Sequence, residues 1–326
     1  MLKKDSLTIA AVQFNAHETD KRQNLDNMEK FVAAAKGKRA DIISFPEICL
    51  TGYNFILYTK DKEKLLAVAE DVPGGQAFQR VRGLAKKYSL VVLFGLLEKH
   101  RNRLYNTYVA VRPDGSYHKY RKIHAWENTH MSQGDSFPIF DLFGWKCGVL
   151  VCFDNNLPEN PRVYALNGCE LMFAPHQTGA FDIELAGMGR IPVKLWERRK
   201  KNPRALLREF QGPKGREWLI KWLPSRAYDN NMYYVFTNGV GLDYDEVRTG
   251  NAMILDPHGC VLAESKSLES HMILAVATKA ALDKTLGKVH MKTRNPHLYG
   301  DLVKKQKGRM DSRNARNTVT ASSKVV

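Results

Sequence analysis

Apolar strand-like segments alternate with amphipathic helix-like segments at the start of this 326-residue chain. Strand-like runs occupy residues 7–15, 40–47 and 90–98, and helix-like runs occupy residues 24–38 and 75–88. This alternation is typical of α/β folds, in which helices cover the faces of a sheet. Since 44% of the residues are hydrophobic, the chain can bury a large core. The sequence therefore predicts a layered α/β fold.

Hairpins, a second strand-and-helix unit and a basic segment follow. The pattern predicts hairpins at 104–123, at 141–154 and around 256–259, a helix at 160–168, strands at 169–176, 232–240 and 272–278, and a charged helical stretch that ends near residue 231. After Leu302 the sequence is polar, basic and aperiodic. We therefore expect one domain over residues 1–285, with a basic helical insertion at about 185–225. A C-terminal arm and a basic, disordered tail are expected over residues 286–326.

The positive charge of the chain is concentrated in two segments. The formal net charge is +16, and residues 190–221 hold eleven Lys and Arg against three Glu. Residues 304–326 hold seven Lys and Arg against one Asp. Because the remainder is close to balanced, we interpret the two segments as a solvated helical face and a tail, and we expect no nucleic-acid partner. A nucleic-acid binder that uses the tail is the alternative, and binding in that case would weaken steeply with salt.

The cysteines and the hydrophobic segments indicate the cellular compartment in which the protein is expected. Five cysteines form an odd set without a CxxC pair, which favours free thiols in a reducing environment. The first residues lack the long apolar run of a signal peptide, and no stretch approaches the roughly 18 apolar residues of a spanning helix. We expect a cytoplasmic protein without a membrane partner.

Three reactive side chains follow strand-like runs. Glu47 follows DIISFP, Lys122 follows the arm HKYR, and Cys152 follows CGVLV. Catalytic groups gather at the carboxyl ends of strands in layered α/β folds, so these side chains are candidates for one pocket. A thiolate needs a base or a cation beside it, and the departing nitrogen of an amide needs a proton donor. A cysteine, a glutamate and a lysine supply all of these groups, so we expect neither a metal nor another cofactor.

Longer motifs around these residues resemble one protein family. The segments FPEICLTGY at 45–53, YRKIH at 120–124 and VCFDNNLPE at 151–159 are similar to the glutamate, lysine and cysteine motifs of the nitrilase, or carbon-nitrogen hydrolase, superfamily. The resemblance extends over about residues 7–280 and includes AVQFN at 11–15. It implies an α/β fold arranged as a four-layer α-β-β-α sandwich, and assembly into a homodimer or a larger homo-oligomer.

The resemblance also implies roles for individual residues. Cys152 is expected to be the nucleophile, Glu47 the general base and Lys122 the group that stabilises the oxyanion. Glu127, which opens ENTHMSQGD at 127–135, is expected to be the second glutamate of the family. The residues expected to contact substrate are Tyr53, Phe153, Asp154, Asn155 and His176. The other four cysteines are expected to be structural, since cysteine is often buried.

The same motifs favour a small-molecule amide or N-carbamoyl substrate. Asp154, after the nucleophile, favours these substrates over a nitrile, because true nitrilases resemble CWEN at this place. A nitrilase is the first alternative, and a catalytically silent binding or scaffold member of the fold is the second. Arginines of the basic insertion, such as Arg190, Arg198 and Arg208, are a hypothetical clamp for a substrate carboxylate.

Overall fold

Residues 1–179 and 189–315 are described by the computed structural model, and in these ranges the chain forms thirteen strands and ten α-helices. The strands are β1 Ser6–Phe14, β2 Ile42–Ser44, β3 Val91–His100, β4 Arg103–Val111, β5 Tyr117–Arg121, β6 Phe140–Leu142, β7 Trp145–Val149, β8 Leu171–His176, β9 Tyr233–Asp243, β10 Glu246–Thr249, β11 Met253–Leu255, β12 Val261–Glu264 and β13 His271–Thr278. The helices are α1 Lys21–Gly37, α2 Asn54–Tyr58, α3 Lys62–Val68, α4 Gln76–Tyr88, α5 Glu159–Leu166, α6 Val193–Glu197, α7 Pro203–Gln211, α8 Arg216–Ile220, α9 Leu223–Tyr228 and α10 Leu286–Lys292.

The strands form two sheets that meet at a narrow junction. Along the main path the order is β5-β4-β3-β2-β1-β9-β8-β7-β6, with β13 antiparallel to β1 and with β10 and β11 paired to β9. The junction between β1 and β9 consists of two residue pairs, Gln13 with Asn238 and Phe14 with Gly239. The first sheet therefore contains β1 to β5 and β13, and the second contains β6 to β12.

Alternation along β1 builds two cores from one strand. Ile9 and Ala11 belong to an apolar cluster that also contains Phe173 and Val235 of the second sheet. Ala10, Val12 and Phe14 belong to another cluster, which contains apolar side chains of α1 and α4, among them Met28, Val32 and Phe78. Successive side chains of a strand point to opposite faces, so the first sheet packs on the second sheet with one face and on helices with the other.

Helices also cover the outer face of the second sheet. Leu219 of α8, and Leu223 and Ala227 of α9, belong to the cluster that contains the strands of this sheet. Helices and sheets thus follow one another as helix, sheet, sheet and helix. The predicted fold class, an α/β four-layer α-β-β-α sandwich, is confirmed.

The charged segment before β9 was expected to be helical. Its described part contains four short helices, α6 to α9. Pro203 begins α7, Gly212 ends it, and Pro224 lies in the first turn of α9, where proline is tolerated because its nitrogen needs no partner. The start of the predicted insertion, residues 185–188, lies outside the described residues.

The C-terminal arm returns to the body of the same chain. Ser312 Oγ donates a hydrogen bond to the carbonyl of Ala125 (2.6 Å), and Gln133 Nε2 donates one to Ser312 Oγ (3.0 Å). Arg313 Nη1 donates to the carbonyl of Met131 (3.2 Å). The sequence predicted a C-terminal arm and a basic tail over residues 286–326, and within this range residues 311–313 contact the segment that carries Glu127. The last part of that predicted tail, residues 316–326, lies outside the described residues.

Two further expectations concern membranes and thiols. Within the described ranges, no helix is both long and apolar enough to cross a bilayer. All five cysteines, which lie in these ranges, are free thiols.

Candidate active site

The three reactive residues come from both sheets. Glu47 lies three residues after the end of β2, and Lys122 directly follows β5, so both belong to the first sheet. Cys152 follows β7 of the second sheet and begins a short 3-10 helix, Cys152–Asn156. The packing of the two sheets therefore brings residues that are distant in sequence toward one site.

Lys122 lies between two glutamates. Its Nζ is 2.8 Å from Glu47 Oε1 and 2.7 Å from Glu127 Oε1. The exposed fractions are 0% for Glu47, 1% for Lys122 and 3% for Glu127, so the three charged groups are out of contact with bulk water. Buried charges are tolerated only when they are paired and hydrogen-bonded, and each of these groups depends on the others.

The surroundings of the two glutamates push their pKa values apart. Burial raises the pKa of Glu47, and the charge of Glu127 adds to this effect, although Lys122 opposes it. Burial also acts to raise the pKa of Glu127, but Lys122 and hydrogen bonds outweigh it and hold that pKa below its ordinary value. Burial would lower the pKa of Lys122, yet the two carboxylates hold it well above its ordinary value. Lys122 and Glu127 therefore stay ionised, while Glu47 is the group suited to exchange a proton.

Asn106, in β4, joins the two glutamates and was missed by the sequence analysis. Its Nδ2 donates to Glu47 Oε1 and to Glu127 Oε1, both at 2.6 Å, and its backbone carbonyl accepts a hydrogen bond from the backbone N–H of Lys122 (2.9 Å). A polar residue inside the apolar strand segment LYNTYVAV is the signal that could have pointed to a role for Asn106. Asn106 thus fixes both carboxylates relative to the lysine.

The backbone around Glu47 is tightly constrained. Ile48 has φ +44°, a left-handed conformation that is rare for a β-branched residue. Gln177, just after β8, donates from Nε2 to the carbonyl of Glu47 (2.8 Å). The second carboxylate oxygen of Glu47, Oε2, accepts no hydrogen bond from the described residues. One oxygen of Glu47 is therefore held by Lys122 and Asn106, and the other is free to take a proton.

Cys152 also has a strained backbone, with φ +48°. Burial raises the pKa of its thiol, and the charge of Glu47 raises it further. Lys122 and a hydrogen bond from the backbone N–H of Gln177 act in the opposite direction. Burial and the charge of Glu47 outweigh the opposing effects, so the pKa of the Cys152 thiol lies above its ordinary value, which favours the neutral thiol at neutral pH. Its activation therefore requires a base to remove the proton.

Asp154 and Asn155, which were predicted to contact substrate, form hydrogen bonds that support the cysteine turn. Both are fully buried. Asp154 accepts hydrogen bonds from the Tyr120 hydroxyl (2.7 Å) and the backbone N–H of His124 (2.8 Å), which join this turn to the loop after Lys122. Asn155 Nδ2 donates to the carbonyl of Leu150 (2.6 Å). Substrate contact by these two residues stays a prediction.

Tyr53 and Phe153 remain candidates for substrate contact. Tyr53 is buried, and its ring lies 6.0 Å from Lys122 Nζ and 5.1 Å from the guanidinium carbon of Arg248. Phe153 is partly exposed, and its ring centroid lies 4.5 Å from that of Trp126. The two aromatic rings Phe153 and Trp126 therefore form an apolar surface next to the nucleophile.

His176, at the end of β8, is buried and neutral. Burial lowers its pKa to about 3. Its Nδ1 lies 3.0 Å from the carbonyl of Ala174, so the hydrogen on Nδ1 is donated there. The ring lies against Phe236 and Trp222, with centroids 4.7 Å and 5.7 Å apart. His176 therefore packs as an uncharged residue between aromatic side chains. The charge of Lys122 contributes to lowering its pKa.

Among the residues that the structure describes, no contact supports the hypothesis that arginines of the basic insertion clamp a substrate carboxylate. Arg190 forms an ion pair with Asp245 (2.8 Å), and both Arg198 and Arg208 are exposed. Within the described ranges no group of three His, Cys, Asp or Glu side chains is arranged to hold a metal ion.

Comparison with known proteins agrees with the motifs. A sequence model of the carbon-nitrogen hydrolase family matches residues 8–283. A nitrilase of Pyrococcus abyssi is 28% identical over 270 residues, which cover 82% of this chain and 88% of that protein. N-carbamoylputrescine amidase of Solanum lycopersicum is 28% identical over 317 residues, which cover 91% of this chain and 95% of that protein.

A solved structure shares the fold. The amidase from Nesterenkonia sp. AN1, in a mutant form with the acetamide moiety of fluoroacetamide added covalently at its active-site cysteine, aligns with a TM-score of 0.69 and 19% identity. The alignment covers 93% of this chain and 99% of that one. The relatives are named a nitrilase and an amidase, and the matching family is described as carbon-nitrogen hydrolase, so the predicted enzyme class is confirmed. The family match over residues 8–283 shows that this chain belongs to the carbon-nitrogen hydrolase family, the nitrilase superfamily.

Proposed function

We propose that this protein hydrolyses a small amide or N-carbamoyl compound through an acyl-thioester on Cys152. The observation that carries the proposal is the buried Lys122, held at 2.8 Å from Glu47 and 2.7 Å from Glu127 while its charge acts on the Cys152 thiol. A structural ion pair alone does not require a second buried carboxylate, a strained cysteine and a free carboxylate oxygen at the same place.

The first half of the reaction forms the thioester. Glu47 takes the proton from the Cys152 thiol, and the sulfur attacks the carbonyl carbon of the substrate. The resulting oxyanion is stabilised by the Lys122 ammonium, with help from the backbone N–H after Cys152. Glu47 then gives its proton to the nitrogen, the carbon–nitrogen bond breaks, and ammonia or an amine leaves.

The second half releases the acid. Glu47, now ionised again, takes a proton from a water molecule as that water attacks the thioester carbon. The carbon–sulfur bond breaks, and the proton returns from Glu47 to the sulfur. The raised pKa of Glu47 supports this role, because an acid that also acts as a base works best with a pKa near the working pH. Glu127 stays ionised and keeps Lys122 charged.

The choice of amide and N-carbamoyl substrates rests on similarity. The carboxylate of Asp154 accepts hydrogen bonds from Tyr120 and His124, which join two loops. These contacts do not favour one class of substrate over another. The tomato relative is named for an N-carbamoyl substrate and covers 91% of this chain, and the solved neighbour is named an amidase. The nitrilase of Pyrococcus abyssi keeps a nitrile among the substrates that a test must include.

The test combines a substrate panel with detection of the acyl-enzyme. Primary amides, N-carbamoyl amines and nitriles are incubated with the protein, and ammonia release and intact mass are measured. We expect turnover of an amide or carbamoyl compound, an adduct on Cys152, and no turnover by Cys152→Ala. Cys260→Ala, which removes an exposed thiol, is the matched control and retains wild-type turnover. Near wild-type hydrolysis by Cys152→Ala contradicts the mechanism, and no adduct or turnover in any arm favours a silent member of the fold.

The remaining expectations are part of the same proposal. We assign residues 1–285 to the hydrolase domain and the following residues to a C-terminal arm, and we expect a homodimer or larger assembly located in the cytoplasm. Size-exclusion chromatography with light scattering measures the assembly, and a monomer at all concentrations contradicts it.

A further inference from the structure

A second buried charged cluster lies next to the candidate active site, centred on Arg248 of β10. Arg248 is 2% exposed and belongs to none of the motifs that indicate the family. Three carboxylates surround this region, those of Glu18, Asp243 and Glu246. A buried arginine is costly unless each of its donors finds a partner, so the contacts of this side chain need an explanation.

Arg248 contacts four residues from three parts of the chain. Its Nη2 is 3.0 Å from Asp243 Oδ2 and 3.3 Å from Glu246 Oε2, and it also donates to Asn54 Oδ1. Its Nη1 donates to the backbone carbonyl of Gln177 (2.9 Å). A planar guanidinium with five donors can satisfy such a set at once, which the ammonium of a lysine cannot.

Gln177 connects this cluster to the reacting groups. Its side chain donates to the carbonyl of Glu47 (2.8 Å), and its backbone N–H acts on the Cys152 sulfur in the direction that lowers the pKa of the thiol. The carbonyl of the same residue is held by Arg248. One residue therefore contacts the proposed nucleophile, the proposed base and the buried arginine.

The fit around Gln177 leaves little room for movement. A Cβ on Gly239 would overlap Gln177 Oε1, and a Cβ on Gly179 would overlap the Arg248 guanidinium. On the other side, the Tyr53 ring lies between Arg248 (5.1 Å) and Lys122 (6.0 Å). The cluster thus contacts the site through two routes, Gln177 and Tyr53.

We propose that Arg248 is a positioning residue that holds Gln177 so that the Cys152 sulfur and the Glu47 backbone keep their reactive geometry. The inference rests on the proposed thiol mechanism and adds a specific dependence to it. Arg248 touches neither the sulfur nor a reacting carboxylate, so its effect passes through the backbone of Gln177. A loss of this contact changes the rate of the chemical step more than the binding of substrate.

The test compares Arg248→Lys with Arg216→Lys in the full chain. Arg216 is the matched control, since it forms an ion pair with Glu264 (2.6 Å) away from these residues. Steady-state kinetics use the best substrate of the panel. For Arg248→Lys we expect kcat to fall about tenfold to a hundredfold with KM within about twofold of wild type, whereas Arg216→Lys keeps both values.

A second readout does not depend on turnover. The rate at which iodoacetamide alkylates Cys152 is followed by peptide mass spectrometry over a range of pH. We expect Arg248→Lys to slow alkylation, or to move its pH profile to higher pH, because the hydrogen bond from Gln177 that favours the thiolate is loosened. A merely structural arginine leaves this profile unchanged in the folded protein.

The outcomes separate this inference from the proposed function. If wild type forms the Cys152 adduct and folded Arg248→Lys matches its kcat and alkylation profile, the positioning role is wrong. If wild type forms no adduct with any substrate, the proposed function fails and the alkylation profile alone decides the role of Arg248. If Arg248→Lys does not fold, the same measurements on Asp243→Asn decide, since this change loosens the guanidinium without removing it.

Discussion

Glu47 and Glu127 share one lysine, yet their surroundings give them opposite tendencies. Glu47 has a raised pKa and one oxygen without a partner among the described residues, while Glu127 has a lowered pKa and accepts hydrogen bonds on both oxygens. Carboxylates whose pKa values are pushed apart commonly divide the work of catalysis. This difference supports the proposed roles, in which Glu47 transfers protons and Glu127 keeps Lys122 charged.

The pH dependence of catalysis follows from this assignment. Only ionised Glu47 can take the proton of Cys152, so kcat/KM rises as the pH increases through the pKa of Glu47. Because that pKa is raised, the midpoint lies above the value of about 4.3 for a free glutamate. Initial rates measured between acid and neutral pH give this midpoint. A limb centred at or below the value of a free glutamate contradicts the assignment.

Asn106 offers a test of how the carboxylates are held. Asn106→Leu removes both 2.6 Å hydrogen bonds to Glu47 and Glu127 with little change in side-chain volume. We expect kcat to fall about tenfold to a hundredfold, because the carboxylates lose their fixed positions. The free energy of unfolding, measured in urea, falls by about 1.5–3 kcal/mol, as is usual for a hydrogen bond to a charged group.

A surface asparagine provides the control for this substitution. Asn167 lies exposed after α5, and Asn167→Leu leaves the carboxylates untouched. An Asn106→Leu enzyme with wild-type kcat would show that Lys122 alone orients the two glutamates.

The roles of single residues were only partly predictable. Motifs brought out Glu47, Lys122 and Glu127, which the structure brings together, because reactive residue types in a fixed order carry information in sequence. Asn106 was missed, and the hydrogen bonds of Asp154 were not expected, because both residues have hydrogen-bond partners far along the chain and no periodic pattern encodes such partners.

At the scale of elements, strand β3 sets the position of the Glu47 turn. A Cβ on Gly95 would lie 2.9 Å from Glu47 Cα and would also overlap the backbone nitrogen of Ile48. Gly95→Ala is therefore expected to displace this turn, to lower the free energy of unfolding by about 1–3 kcal/mol, and to reduce kcat. Urea denaturation and initial rates measure the two effects.

Gly83 is the control for this substitution, because an added Cβ there meets no neighbouring atom. Gly83 lies exposed in α4, and a Cβ there would meet no atom within 4 Å. Gly83→Ala should raise the free energy of unfolding by about 0.5–1 kcal/mol and leave kcat unchanged. Equal effects of the two substitutions would show that the approach of β3 does not constrain Glu47.

The pattern of elements was predicted best where apolar periodicity is strong. β1, α4 and the hairpin of β4 and β5 lie close to their expected positions, since each buries a regular apolar face. β10 was not expected, because two of the four residues in its sequence EVRT are charged. Glu246 and Arg248 are buried here because they form an ion pair with each other, and not because they are apolar. A strand of this kind becomes recognisable only when its partners are known.

At the scale of the whole molecule, the C-terminal arm supports the segment that carries Glu127. Ser312 and Arg313 contact the carbonyls of Ala125 and Met131. We expect the double substitution Ser312→Ala and Arg313→Ala to lower kcat severalfold and to leave the overall fold intact. Activity assays and circular dichroism check both statements.

An exposed residue of the same arm is the control. Lys305→Ala, which changes charge outside these contacts, should keep wild-type kcat. If the double substitution also keeps wild-type kcat, the arm does not influence Glu127.

The arrangement of Lys122 between Glu47 and Glu127 has an evolutionary consequence. Loss of the lysine alone would strand two buried anions, and loss of one glutamate would change the protonation of the other two groups. These positions therefore form an epistatic unit. A substitution at one of them is more harmful than the simultaneous replacement of all three. A lineage that abandons the chemistry can repack this interior only by exchanging all three residues together.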